Sequence, residues 1–178
     1  NDPAAFLRYA QDVKNEGGVM VLVTQLFQGT YSQANQHPLF TALLSFGPTF
    51  PQGQILSLAI GSITLVMVTL WTARKWNLTV AALVSVILST NFAFCSTSAM
   101  VTCEGLLTLF ISLTWLLLAP PPKSTEEAET SQRTATFHAP TTSLAVGGLL
   151  GLAFLTKGTG PLFLIITLAW LWGCHTYH

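Results

Sequence analysis

Apolar residues run almost unbroken from Gln54 to about Ala73, and the basic pair Arg74-Lys75 closes the run. At 1.5 Å per helical residue, about 20 such residues cross the roughly 30 Å of hydrocarbon in a bilayer. Two further runs repeat the pattern, from about Leu78 to Phe94 and from about Val101 to Ala119. Ser143 to Thr156 and Pro161 to Gly173 are equally apolar but shorter. Hydrocarbon holds no water for an unpaired N–H or C=O, so long apolar stretches of this kind satisfy their backbones internally as helices. The pattern predicts an all-α, polytopic transmembrane bundle of five spanning helices.

The polar positions divide the rest. Residues 3–14 bring either Ala4, Leu7 and Ala10 or Phe6, Ala10 and Val13 to one side at helical spacing, with Arg8, Gln11, Asp12 and Lys14 elsewhere. Asp2 is a credible N-cap and Pro3 suits the first helical position, so a short amphipathic helix is expected, of a kind that lies on a membrane surface. Gly17-Gly18 ends it. Residues 19–36 alternate loosely and finish in the polar run GTYSQANQ, which reads as a loop or short extended piece. His37-Pro38 opens a second helical run through about Phe46, broken by Gly47-Pro48 and Pro51. Residues 120–140, rich in Pro, Thr, Ser and Glu, read as a solvated linker. Four units follow: an external loop with an amphipathic helix over 1–53, three transmembrane helices over 54–119, a cytoplasmic polar linker over 120–141, and two short transmembrane helices joined by a turn over 142–178.

Composition sharpens this picture. Only 8% of the 178 residues are charged, against 51% hydrophobic, whereas a soluble domain carries about 25% charge. Seven basic residues balance seven acidic ones, so no field points to nucleic acid. Arg74-Lys75 sit in the shortest connection, and the positive-inside rule puts that connection in the cytoplasm. Alternation then carries residues 1–53, the region of Glu104 and Lys157 to the opposite face. The sequon Asn77-Leu78-Thr79 falls inside, out of reach of glycosylation. Cys95, Cys103 and Cys174 form no CxxC pair and no metal spacing with histidine, and read as small membrane-helix residues. Gly147, Gly148 and Gly151 suggest close helix packing. The polar start at Asn1 and the stop after the last apolar run suggest an N-terminal portion of a larger protein.

Two charges stand alone in apolar sequence. Between Trp76 and Pro122 the only charged side chain is Glu104; between Phe137 and His178 the only one besides histidine is Lys157. A carboxylate in a spanning segment costs roughly 2.5–3.5 kcal/mol on insertion scales and normally faces a cavity or a partner. Helical spacing gives Glu104 a polar stripe with Thr97 and Thr108. Lys157 lies in a Leu155-Thr156-Lys157-Gly158 turn between two short apolar runs, where an ammonium can hold a lipid phosphate. Simple snorkelling to headgroups is the plainer alternative. Asp2 alone reads as a helix cap, and His37 alone as a loop histidine.

In order and spacing these pieces resemble the C-type glycosyltransferases and, within them, the family 39 relatives that include protein O-mannosyltransferases and the aminoarabinose transferase of lipid A. Asp2-x3-Phe6-x3-Ala10 resembles the family's D-x3-[YF]-x3-A opening of the first external loop. His37-Pro38-Leu39-Phe40 resembles its HPP element, with one proline instead of two. Ser98 to Leu107 resembles the second-loop element, with Glu104 where aspartate is usual, and Gly151 to Gly158 resembles the G-L-x-x-L-T-K-G element. The resemblance implies inverting transfer of a sugar from a polyprenyl-phosphate donor, the co-substrate, to a lipid, glycan or protein acceptor on the non-cytoplasmic face of a plasma (inner) membrane, in the cell envelope. It implies Asp2 as base, Glu104 as the residue that positions the acceptor or orients the base, Lys157 on the leaving phosphate, and His37 and Phe6 as substrate-binding residues. It fixes no cofactor and leaves room for a divalent cation. A flippase for a lipid-linked anion, or a non-catalytic bundle subunit, would also bury a lysine and a carboxylate; an external loop carrying Asp2 favours the enzyme.

Overall fold

The computed structural model describes residues 2–31, 37–118, 140–157, 162–163 and 165–169. The expected linker over 120–140, apart from Pro140, and Cys174 lie outside them, as does part of the last apolar run. Among the described residues the chain is an all-helical membrane bundle without strands.

Helix α1 (Pro3–Asn15) starts where the sequence predicts. The Asp2 carboxylate accepts from the Ala4 N–H at 2.9 Å, and Pro3 enters the first turn without needing a donor. Gly17 and Gly18 end it at φ 116° and 83°, conformations that L side chains avoid. The apolar face, Phe6, Ala10 and Val13, is buried. It packs on helix α3 (Pro38–Ser45) and not on a lipid surface, since Phe6 meets Phe40 edge-on at 5.3 Å.

The expected loop over residues 19–36 is partly a helix, α2 (Val19–Gln28). Its loose alternation of valines concealed the helical period, yet its end carries a full Schellman motif. The Thr30 N–H donates to Gln25 O at 3.0 Å and the Gly29 N–H to Leu26 O at 3.2 Å, with Gly29 left-handed at φ 67°. Leu22 anchors α2 against Val13 and Ala42, while Met20 and Phe27 face outward.

Helix α4 (Phe50–Lys75) has 26 residues and a length of about 39 Å, long and apolar enough to cross a membrane alone. Its buried side is small, with Gly53, Ser57, Gly61 and Thr64, and its exposed side carries Ile55, Leu58, Ile63, Val66 and Leu70. Small residues let membrane helices approach closely, whereas large apolar ones suit lipid. At its end the Lys75 ammonium lies 4.8 Å from the Trp71 ring and 5.5 Å from the Trp76 ring. A cation with tryptophans at a helix C-terminus suits both the macrodipole and the headgroup region.

The single span expected over 78–94 is broken. Helix α5 (Leu78–Thr90) stops at Asn91, and helix α6 (Phe92–Ala99) leaves at a bend of 63°. Local polar groups explain the break. The Asn91 side chain caps α6 by accepting from the Phe94 N–H at 3.0 Å, and the Cys95 thiol donates to Ser89 O at 3.0 Å. Asn77, the sequon asparagine, caps α5 in the same way through the Val80 N–H.

Helix α7 (Glu104–Leu118) and helix α8 (Pro140–Thr156) pack antiparallel, with Leu118 against Val146 and Leu150. Both are shorter than α4, at 15 and 17 residues. One apolar cluster joins the elements that frame the site: Phe6 and Ala10 of α1, Phe40 and Leu44 of α3, Ile60 of α4, then Val101, Cys103 and Leu106.

The close packing expected at Gly147, Gly148 and Gly151 occurs elsewhere. A Cβ at those three positions meets no described atom within 4 Å. At Gly61 it would lie 2.6 Å from Ser98 Cβ and closer still to Ser98 Oγ. Ser98 is itself buried, and its hydroxyl donates to Phe94 O at 2.8 Å, so it has little room to yield. Gly61→Ala should therefore separate α4 from α6 at a cost of about 1–3 kcal/mol, the usual range for overpacking. Thermal unfolding in detergent, with Gly148→Ala as the companion, should show the Gly61 variant alone clearly destabilised.

Candidate functional site

The site begins with two helix ends. Glu104 is the first residue of α7, and Lys157 directly follows the last residue of α8. A carboxylate at an N-terminus and an ammonium at a C-terminus each offset the partial charge of their own helix. Because α7 and α8 run antiparallel, the two charges also offset one another, with Lys157 Nζ 2.7 Å from Glu104 Oε1. The side chains keep 28% and 24% of their accessible surface. The pair is thus partly open, able to meet a ligand without a rearrangement of the bundle.

Helix α3 delivers the third group. Pro38 holds the first turn of α3 and leaves His37 ahead of it in non-helical backbone. His37 Nδ1 lies 2.9 Å from Thr156 O, a carbonyl at the C-terminal end of α8. A carbonyl only accepts, so this nitrogen carries the proton and donates. Cys103 Sγ lies 3.4 Å from the same nitrogen, and its thiol donates to Glu104 Oε2 at 3.7 Å. The Phe6 ring packs 5.2 Å from the imidazole, tilted by 56°.

His37, Glu104, Lys157 and Phe6 are therefore drawn together from α1, α3, α7 and α8, although 119 residues separate His37 from Thr156. Asp2 is the exposed cap of α1, four residues before Phe6, and its carboxylate accepts from the Ala4 N–H. The polar stripe expected from Thr97, Glu104 and Thr108 does not form. Thr97 belongs to α6, separated from α7 by the Met100–Cys103 connection, and its hydroxyl donates to Ala93 O and Phe94 O. The Thr108 hydroxyl donates to the backbone carbonyl of Glu104 at 2.8 Å. Both threonines satisfy their own helices.

Cys103 and the Thr156 carbonyl belong to the site and were not signalled by the sequence. Cys103 is buried in a connection and not in a helix, next in sequence to Glu104. Tyr31, well outside the apolar helices, is pushed up to about 12 by burial, with the nearby charges of Glu16 and Asp12 adding to it. It stays protonated and offers no base. Among the described residues no group of three or more His, Cys, Asp or Glu is arranged to hold a metal ion.

Fold and site together define a class: a helical membrane protein that gathers a carboxylate, an ammonium and an imidazole at one end of its short apolar helices. Within that class the affiliation is specific. Residues 22–176 match the family of dolichyl-phosphate-mannose-protein mannosyltransferases, and the chain belongs to that family; it is a membrane glycosyltransferase. Neither the curated proteins nor the solved structures give a match. His37, Glu104 and Lys157 fall inside the matched residues, whereas Asp2 and Phe6 precede them.

Breaking the pair on one side leaves a partly buried charge without its countercharge. Lys157→Met should lower stability by about 1 kcal/mol, between the values for exposed and buried pairs. Lys157→Met combined with Glu104→Gln should recover most of that loss in the same detergent unfolding measurement.

Proposed function

We propose that this chain forms the donor end of an enzyme that moves a sugar from a polyprenyl-phosphate to a lipid, glycan or protein hydroxyl, with inversion, on the membrane face opposite Arg74-Lys75. The observation that carries this reading is the Glu104–Lys157 pair at facing helix ends in a member of the mannosyltransferase family. The donor is a phosphodiester with one negative charge, and the leaving polyprenyl-phosphate gains a second. An ammonium 2.7 Å from a carboxylate is already held in place for that change. Lys157 exchanges part of its contact with Glu104 for the phosphate, and its attraction grows as the anomeric C–O bond breaks.

The acceptor oxygen attacks the opposite face of the anomeric carbon, and its proton passes to a carboxylate. Asp2 is the base, on the residue pattern it shares with the wider superfamily; it caps α1, the helix whose Phe6 packs against the His37 ring. Glu104, held by Lys157 and accepting from the Cys103 thiol, orients the acceptor. The lipid chain of the donor runs along the exposed apolar sides of the helices, which need no polar groups for it.

Transfer from radiolabelled dolichyl-phosphate mannose, measured beside donor binding in membranes holding the intact protein, tests these roles. Lys157→Ala should weaken both binding and turnover, because it touches the phosphate in ground and transition states alike. Asp2→Asn should bind the donor normally and lose about 10²–10⁴-fold in rate. Lys157→Ala membranes that bind the donor like wild type would overturn the phosphate role.

A further inference from the structure

We propose that His37 is a positioning residue that works through Lys157, by holding the end of α8 where the ammonium meets the donor phosphate. This rests on the reading of Lys157 as the phosphate-binding residue. The last four carbonyls of a helix have no intrahelical partner, and Thr156 O, one residue before Lys157, receives its hydrogen from His37 Nδ1 at 2.9 Å. The Thr156 hydroxyl is turned back to Leu152 O at 2.7 Å, and the residue is fully buried. The backbone at Thr156 is thus fixed from two directions. The ammonium one residue later is fixed from a third, by Glu104.

The imidazole is equally constrained. Phe6 packs on its ring from α1, and Cys103 approaches the same nitrogen at 3.4 Å. Pro38 restricts the residue before it to extended or turn backbone, which keeps His37 out of the helix it precedes. The Thr156 carbonyl takes the Nδ1 hydrogen, so the Nδ1 side of the ring is committed to the backbone of α8. Its contribution to phosphate binding is therefore exerted through the backbone of α8. The tie joins the external segment before α3 to the helix that carries Lys157, so docking of α1 and α3 sets the height of the ammonium.

Three substitutions separate this role from a direct contact. An asparagine amide nitrogen replaces Nδ1 in position, a glutamine amide nitrogen reaches toward Nε2, and phenylalanine keeps the packing without either. Donor KM and kcat are measured with dolichyl-phosphate mannose for His37→Asn, His37→Gln and His37→Phe in the intact protein. Amide hydrogen exchange at the Thr156–Lys157 turn is followed in parallel. His37→Asn should stay within about two-fold of wild type. His37→Gln and His37→Phe should raise donor KM about three- to ten-fold, the loss of one hydrogen bond, with kcat changed less and exchange at the turn accelerated. Full activity in all three variants would overturn the proposal. So would better rescue by Gln than by Asn, which would mean direct contact through Nε2. If Lys157→Ala binds the donor normally, the phosphate role fails by itself, and the exchange measurement still reports whether His37 holds the turn.

Discussion

Everything around the site depends on one ion pair. Glu104 opens α7 and Lys157 follows α8, and in their 2.7 Å contact each charge faces both its own helix dipole and an opposite charge. An isolated carboxylate or ammonium inside a membrane bundle is expensive. The pair thereby sets the antiparallel register of α7 against α8, which Leu118, Val146 and Leu150 then fill with apolar contact at the other end. The pair's remaining exposure is what makes it chemically useful. A fully sealed pair would be structural, whereas a partly open one can exchange a carboxylate for a phosphate.

The helices were largely legible in the sequence, because a membrane leaves an apolar run few alternatives. The start of α1 was legible from Asp2-Pro3 and the end of α4 from its closing basic pair, whereas α4 begins at Phe50, ahead of the expected Gln54, because Pro51 sits in its first turn and does not break it. The misses have local causes. In α2, valines at alternate positions imitate an extended period, and only the Gly29 turn marks a helix. In α5 and α6, hydropathy stays high across Asn91, so nothing in an apolar count reveals that its side chain starts a new helix. For α1 the spacing allowed two apolar stripes, of which the one through Phe6, Ala10 and Val13 is buried, and neither says whether it meets lipid or protein. In the site, Glu104 and Lys157 stood out as lone charges in apolar sequence. The Thr156 carbonyl could not, because a backbone acceptor leaves no trace in residue identity.

Small residues behave differently on two helices. On α4 the glycines are needed for close approach, with Gly53 against Val101 and Leu44 and Gly61 against Ser98. On α8 the glycine row has no described neighbour. Spacing alone therefore did not separate the two; the opposing surface did. The α4 contacts matter for the site as well as for the bundle, since Ser98 lies just before, and Val101 within, the connection that leads into Glu104.

The separation of the two charges in sequence has a consequence for biosynthesis. Lys157 is translated 53 residues after Glu104. At about 5–20 residues per second, the carboxylate waits roughly 3–10 s before its countercharge leaves the ribosome. During that interval α7 has an acidic N-terminus without its partner cation, and the carbonyl that His37 will meet has not been made. The nascent chain must keep this end of α7 near water or the translocation machinery until α8 arrives. The reactive end of the bundle therefore closes only after α1 to α7 have all been made.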